Sequence, residues 1–366
     1  MLWRIFSILM IVIAAAGVVY LTACFHRFSP LRRLARRNRF LSWLLAAIPV
    51  ALLACFAFIN AITMAVVFLH VILFWAICGV AGRLIARLRE RPLNRDGVGI
   101  AALLIAAAYL GAGWYFAHHI QQTNYALTTA KELGRDSLRV VEIADSHIGI
   151  TLDGRSFAEL TERVNAAEPD LVVIVGDFVD DDTGQEDMLA ACRALGGLDA
   201  PLGVYFAFGN HDQGYYSYRN FTVQELSAAL TENGVTILAD ESVLIDGGFY
   251  LIGRRDRSMR GRMEAGALAA GLDPSKYAIM LDHQPNDYAG EAASGADLVL
   301  SGHTHGGHIF PAGLIGLAMG ANDRVYGLER RENTDFIVTS GVSGWAIPFK
   351  TGAISEFAVI DIVHVP

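Results

Sequence analysis

The sequence predicts a two-part chain: four transmembrane helices, then an α/β domain. Three observations predict it. Apolar runs at 5–24, 41–82 and 98–117 crowd into the first 119 residues. From residue 138, short runs rich in Val, Ile and aromatics alternate with helix-like stretches. Charge is divided between the two parts. Residues 1–97 carry twelve arginines, no lysine and two acids, a net +10, while the rest of the chain carries −18. The averages of 53% hydrophobic, 18% charged and net −8 over 366 residues hide that division. They do exclude a disordered chain, which needs low hydrophobicity and high charge.

The four spans are justified one by one. A bilayer crossing takes about 20 apolar residues, which 5–24 supplies. The run 41–82 has no charge, and as one helix it would reach about 63 Å, twice the hydrocarbon core. It therefore predicts two spans, 41–60 and 62–82, with a hairpin near Asn60. The fourth span is 98–117. Loop 25–40 carries Arg27, Arg32, Arg33, Arg36, Arg37 and Arg39, and loop 83–97 carries Arg83, Arg87, Arg89, Arg91 and Arg95. Short basic loops stay cytoplasmic. This predicts a multi-pass protein of the cytoplasmic membrane with everything after Ala117 outside. Leu21-Thr22-Ala23-Cys24 also resembles a lipoprotein cleavage site, but cleavage there would export six arginines, against the charge rule. Trp114, Tyr115, His118 and His119 read as an interfacial belt, and His70 as a packed side chain.

Residues 1–119 are thus an anchor. Residues 120–137 read as a polar linker with a helix near 122–133, and 138–366 as the α/β domain. Strands are expected at 138–144, 170–176, 203–208, 235–238, 242–245, 248–253, 277–281, 297–300, 336–340 and 355–363. Helices are expected at 154–168, 184–196, 222–233 and 261–271. No disulfide framework or CxxC zinc motif is present among the four cysteines.

The residues at the strand ends carry the chemistry. Five apolar strands run into Asp145-Ser-His147, Asp177-Phe-Val-Asp180, Asn210-His211-Asp212, Asp282-His283 and His303-Thr-His305. Ligands of α/β sheets bind beyond strand carboxyl ends, so these side chains can converge. Imidazole, carboxylate and amide oxygen suit a borderline divalent metal: Mn, Fe, Co, Ni or Zn. Asp145, His147, Asp177, Asn210, His283, His303 and His305 are too many for one tetrahedral ion and suit two ions sharing a carboxylate. Two metals about 3.5–4 Å apart stabilise in-line displacement at phosphorus. Gly176, Gly209 and Gly302 directly precede ligands and permit torsions that bulkier residues resist.

Asp-x-His, Gly-Asp-x-x-Asp, Gly-Asn-His-Asp, an isolated His and Gly-His-x-His, in this order, resemble the calcineurin-like metallophosphoesterases. Gly-His-Thr-His-Gly-Gly with Pro311 after it resembles their membrane-anchored bacterial branch, which includes enzymes acting on UDP-diacylglucosamine-like lipid A precursors and phospholipid-like substrates. The resemblance implies a four-layer α/β/β/α sandwich. It implies one metal on Asp145, His147 and His305, a second on Asn210, His283 and His303, and Asp177 bridging them, with manganese among the candidates. It implies a metal-bridging hydroxide as nucleophile, His211 assisting the leaving oxygen, and Asp212 orienting His211. Asp180 is expected beside the ligands rather than among them. Position 308 is His where this branch carries Gln, which opens a role for His308 near the metals or the substrate. Arg254 and Arg255, with Arg257, offer contacts to a phosphate or headgroup, against the plainer reading of a solvated charge run. Tyr215, Tyr216 and Tyr218 border the expected mouth.

The function expected is a membrane-anchored dinuclear phosphoesterase acting on a lipid-linked or small membrane-proximal phosphoester or pyrophosphate, with membrane lipids as partners. The alternatives are a nuclease or cyclic-nucleotide phosphodiesterase, and a non-catalytic membrane scaffold or sensor. The acidic domain disfavours nucleic acid, whose binders present a basic groove. A full ligand set disfavours the scaffold.

Overall fold

The structure is a computed structural model that describes residues 15–215 and 219–365. In the N-terminal unit, residues up to Gly113, asparagine side chains start two helices. Asn38 accepts a hydrogen bond from Leu41 N at the head of α3 (Arg39–Ala54), and Asn60 accepts from Thr63 N at the head of α4 (Ala61–Leu88). Such caps satisfy amides that the first helical turn leaves open. Before them come α1 (Ala15–His26) and α2 (Ser29–Ala35), and after them α5 (Arg95–His118). A tighter helical turn at Cys55–Phe58 prolongs α3, and the chain breaks at Ile59 and Asn60, where the hairpin is expected.

Among the described residues three helical stretches are long and apolar enough to cross a membrane: Arg39–Phe58, Ala61–Leu88 and Arg95–His118. That is one fewer than the four spans expected. The described part of the first, α1, is too short, and residues 5–14 of that span lie outside the described residues. Ala46, Val50, Val71, Trp75, Ala102 and Ala106 are buried together. Small residues let helix backbones approach closely. Leu44, Leu52, Leu73 and Leu104 face outward, as side chains suited to an apolar solvent do.

The C-terminal unit holds two six-stranded sheets. The first runs β1 (Gln121–Thr129), β12 (Glu356–His364), β2 (Ser137–Ile143), β3 (Leu171–Val175), β4 (Val204–Ala207), β5 (Val235–Ile237). The second runs β10 (Gly327–Arg331), β11 (Thr334–Val338), β9 (Leu298–Ser301), β8 (Ala278–Leu281), β7 (Phe249–Gly253), β6 (Glu241–Ile245). β2 to β5 are mutually parallel, as are β7, β8, β9 and β11. Helices α6 (Gly154–Asn165), α7 (Gln185–Leu195) and α8 (Val223–Glu232) cross between the strands of the first sheet. Asp153 and Ser156 close a capping box on α6, and Phe157, Leu160 and Val164 bury one face of it.

Alternation along the strands assigns the layers. Val141, Ile143, Val172, Ile174 and Phe206 pack with the buried faces of α6 to α8. Leu138, Val140, Val173 and Val175 meet Leu251, Ile279, Leu281, Leu300 and Ile337 of the second sheet. The outer face of that sheet, with Ile252, Met280, Val299 and Phe336, takes Leu268 of α9 (Ala265–Ala269) and Tyr288 of α10 (Tyr288–Ser294). Each such side chain contributes about 1.5–3 kcal/mol when fully buried. The result is a mixed α/β fold with two sheets between helices.

The expected linker is instead a strand. Residues 121–129 form no helix and no free tether. They are β1, paired in parallel along its whole length with β12. Only Leu127 of β1 is buried. A polar edge strand shows little apolar alternation, so its sequence reads as a linker. The helix expected at 261–271 shrinks to Ala265–Ala269. Two further helices, α10 and α11 (Ala312–Ala318), and β10 were not expected.

Candidate metal centre

Parallel strands deliver their carboxyl ends to one side, and here both sheets deliver them together. Asp145 and His147 follow β2, Asp177 follows β3, and Asn210 and His211 follow β4. His283 follows β8, and His303 and His305 follow β9. Main-chain bonds lock these turns to one another. Asp145 N donates to Gly176 O at 3.0 Å, and His147 N donates to Asp177 O at 3.0 Å. His303 N donates to Asp145 Oδ1 at 3.0 Å, across the two sheets, and His211 N donates to Asp177 Oδ1 at 2.8 Å.

The backbone is contorted to achieve this. Asp145, His147, Asp177, His303 and His305 have φ of 53°, 36°, 52°, 69° and 48°. Left-handed torsions cost a non-glycine residue roughly 1–2 kcal/mol and concentrate at functional sites. At Gly176, φ 74°, a Cβ would lie 2.5 Å from His283 Nδ1 and 2.6 Å from Gly209 Cα. No side chain fits there.

The donor atoms fall into groups. One atom each from Asp145, His147 and His305 lies within 4.8 Å of the others, and the same holds for Asp177, His283 and His303. Asp177 Oδ2 stands between the groups, 3.0 Å from His283 Nε2 and 3.6 Å from His147 Nε2. The far ring nitrogens are tied down. His283 Nδ1 donates to Val175 O at 2.8 Å, and His305 Nδ1 donates to Ser343 O at 3.1 Å. His147 Nδ1 bonds Asp180 Oδ2 at 2.9 Å. Such bonds fix the tautomer so that Nε2 presents a lone pair. Asp145 Oδ2, His147 Nε2 and His283 Nε2 are buried with no hydrogen-bond partner. An unsatisfied buried polar atom is costly, and these three, two in the first group and one in the second, fit cations. Burial pushes the His303 imidazole down to about 4 and holds His305 well below its usual range. Both are neutral near pH 7, as metal ligands must be.

Two other features extend the site: the grouping of His147, Asp180 and His211, and the Asn210 amide. Asn210 Nδ2 donates to Tyr215 Oη at 2.9 Å. Gln284 Nε2 lies 3.5 Å from Asn210 Oδ1 and donates to both oxygens of buried Asp256 at 2.9 Å. Sequence reasoning missed the Gln284–Asp256 support, although Gln284 adjoins His283. His211 sits at the opening with Tyr215 and Trp345, ring centroids 5.0 and 5.7 Å away, both exposed. Tyr216 and Tyr218 lie outside the described residues.

The roles expected of Asp212 and of the pair Arg254 and Arg255 are corrected. Asp212 does not orient His211. Its carboxylate is fully buried and accepts from the backbone amides of Asp177, Phe178, Val179 and Gly209. The partner of His211 is Asp180, whose Oδ1 lies 3.1 Å from His211 Nδ1. Asp180 thus joins His147 and His211. Against its own burial, those two imidazoles hold its carboxyl far below the usual range. Burial alone would lower His211, but the Asp180 bond and the Asp177 charge raise it.

Arg254 does not face a phosphate. Its guanidinium is buried among Asp282, Asp287, Glu291 and Glu264 at 3.0, 2.7, 3.8 and 3.9 Å. Arg255 pairs with Asp240, Nε to Oδ2 3.6 Å. Arg254 and Arg255 therefore brace the second sheet, while Arg257 is exposed. His308 is not among the grouped donors. Its ring stacks beside His305, centroids 5.1 Å apart, and burial first, then Lys350 and His147, push it down to about 3.

A second missed residue is Lys350, fully buried, whose Nζ donates to Ser340 O at 2.6 Å and Gly341 O at 2.9 Å. Val342 N and Ser343 N, next along that loop, bond Ala144 O and Asp145 O. Lys350 thereby fixes the loop that closes on Asp145. The available signal was rarity, since the chain has three lysines.

The sequence model of the calcineurin-like phosphoesterase family matches residues 138–307. An uncharacterized metallophosphoesterase of Aquifex aeolicus is 33% identical over 221 residues, 58% of this chain and 78% of the relative. One from Campylobacter jejuni is 32% identical over 234 residues, 62% of this chain and 60% of the relative. A Bos taurus transmembrane protein with metallophosphoesterase domain is 30% identical over 249 residues, 63% of this chain and 54% of the relative. The match spans 60% of the length of the Campylobacter and Helicobacter relatives.

Proposed function

This chain belongs to the calcineurin-like metallophosphoesterases, and on that premise we propose that it is a membrane-anchored phosphoesterase using two divalent metals on a lipid-linked or membrane-proximal substrate. The observation that carries the reading is the convergence of Asp145, His147, Asp177, Asn210, His283, His303 and His305 from five strand ends, with three buried donor atoms left unpartnered. Asp145, His147 and His305 would hold one ion, and Asn210, His283 and His303 the other. Asp177, close to both groups, would be shared. The metals, when bound, polarise the phosphoryl group and lower the pKa of water towards neutrality.

The protein's own side chains do the rest. His211 donates a proton to the leaving oxygen, and Asp180 holds its ring and favours its protonated form. A positioned acid of this kind contributes about 10²–10⁴-fold. Gln284 and Asp256 hold the Asn210 amide in place. Tyr215 and Trp345 give the opening aromatic walls against which an apolar part of a substrate packs.

Two observations favour a lipid-linked substrate. Three helices have the length and hydropathy to cross a bilayer. On the C-terminal unit, Phe310, Leu314, Ile315 and Met319, shortly after His305, are exposed and apolar. The arginine-rich loops support a bacterial inner-membrane protein with four spans and the catalytic domain outside. The identity of the metals, manganese included, is read from metal analysis of the purified full chain. Its turnover on lipid phosphates, UDP-linked lipids and soluble phosphodiesters tests the rest. Preference for the lipids supports the substrate reading. Turnover confined to soluble phosphodiesters overturns that reading, and no turnover of any ester by metal-loaded protein overturns the reaction. A reporter fused after Pro366 that is active in the cytoplasm overturns the topology.

A further inference from the structure

A cavity of about 610 Å³ opens within the N-terminal unit, in the size range of small-ligand sites. Its lining combines two chemistries. Arg27 beyond the end of α1, Arg83 late in α4 and Arg95 at the start of α5 bring three arginines to its lining. Phe28 and Trp75, in edge-to-face contact at 6.0 Å, give it an apolar wall. Among the described residues no carboxylate pairs with any of these arginines. The unit holds only two acids, and one of them, Asp96, accepts from Ser29 N.

Three exposed cations with no internal counter-charge repel one another. Around an apolar cavity they are most stable with an anion that brings its own apolar body. Guanidinium groups match phosphate in fork-to-fork geometry. Basic pockets between membrane helices take phospholipid headgroups for this reason. We propose that this cavity binds the phosphate of an anionic phospholipid, with Arg27, Arg83 and Arg95 on the headgroup and an acyl chain against Phe28 and Trp75. The site is independent of the metal centre and of the reaction assigned to it.

The test is native mass spectrometry of the full-length protein released from detergent with phosphatidylglycerol, phosphatidylcholine or inorganic phosphate added. Phosphatidylglycerol is expected to be retained at about tenfold lower concentration than phosphatidylcholine. The preference should vanish in the triple variant Arg27→Gln, Arg83→Gln, Arg95→Gln. It should persist in the charge-matched triple Arg33→Gln, Arg36→Gln, Arg37→Gln. Ala76→Phe, which narrows the cavity from its lining and leaves every arginine, should also remove it. Single Arg83→Gln and Arg95→Gln variants cover the case in which the triple fails to fold, each with a partial loss. Equal loss in both triples, an unchanged preference in Ala76→Phe and the single variants, or displacement of the lipid by inorganic phosphate would overturn the proposal.

Discussion

The two units use the same residue types in opposite ways. In the N-terminal unit Leu44, Leu52 and Leu104 face outward, and among the described residues Arg27, Arg83 and Arg95 have no carboxylate partner. In the C-terminal unit Leu251, Leu281 and Leu300 are fully buried, and Arg254 is enclosed by four carboxylates. Histidine differs too. His70 Nδ1 donates to Val66 O, one turn back on its own helix, whereas His283 Nδ1 donates to Val175 O across 108 residues. A helix meant for lipid must satisfy its polar groups locally. A sheet domain in water can spend long-range contacts on placing polar side chains.

The comparison can be broken most severely at the metal centre. Asp177→Asn is expected to reduce turnover to background and metal content with it, read by elemental analysis. Retained metal would separate Asp177 from both donor groups. His211→Ala should keep the metal and lower turnover by about 10²–10⁴-fold, so that the two variants together part binding from chemistry. The arginines come next. Arg254→Ala takes from buried Asp282 one of its two guanidinium partners, the other being Arg262, and should cost about 1–3 kcal/mol in the domain's unfolding free energy. Arg83→Ala, with no carboxylate to strand, should change stability by less than about 0.5 kcal/mol. Equal effects in a denaturation series would erase the contrast between the units.

The smallest effect is a pH shift. If His211 is the proposed acid, it acts in its protonated form, so turnover is present below its pKa and lost as pH rises through it. Asp180 raises that pKa. Asp180→Asn should move the basic limb of the pH–rate profile down by about one unit, since one unit is the scale of a single charged partner. An unmoved limb would return His211 to another partner.

Most of the C-terminal strands were legible as short apolar runs, five of them ending in Asp, Asn or His, and period and punctuation agreed. Six of the seven expected donors fall into the two groups for the same reason. Asp212 was assigned the wrong partner. Adjacency in Asn210-His211-Asp212 pairs the wrong residues, because the turn sends Asp212 back into the amides of 177–179 while Asp180 arrives from another strand end. β1 was missed because an edge strand buried at Leu127 alone lacks an apolar period. Arg254 was misjudged because its partners Asp282, Asp287 and Glu291 are about 30 positions away.

The five left-handed residues of the site bear on how this protein evolves. At roughly 1–2 kcal/mol each, together they approach the whole net stability of a typical domain, about 5–15 kcal/mol. Glycine would relieve every one of them and abolish the chemistry at the same stroke. Selection for thermal robustness and selection for turnover therefore pull these five positions in opposite directions. Variants chosen only for heat resistance should accumulate changes there first, and those changes would cost the protein its activity.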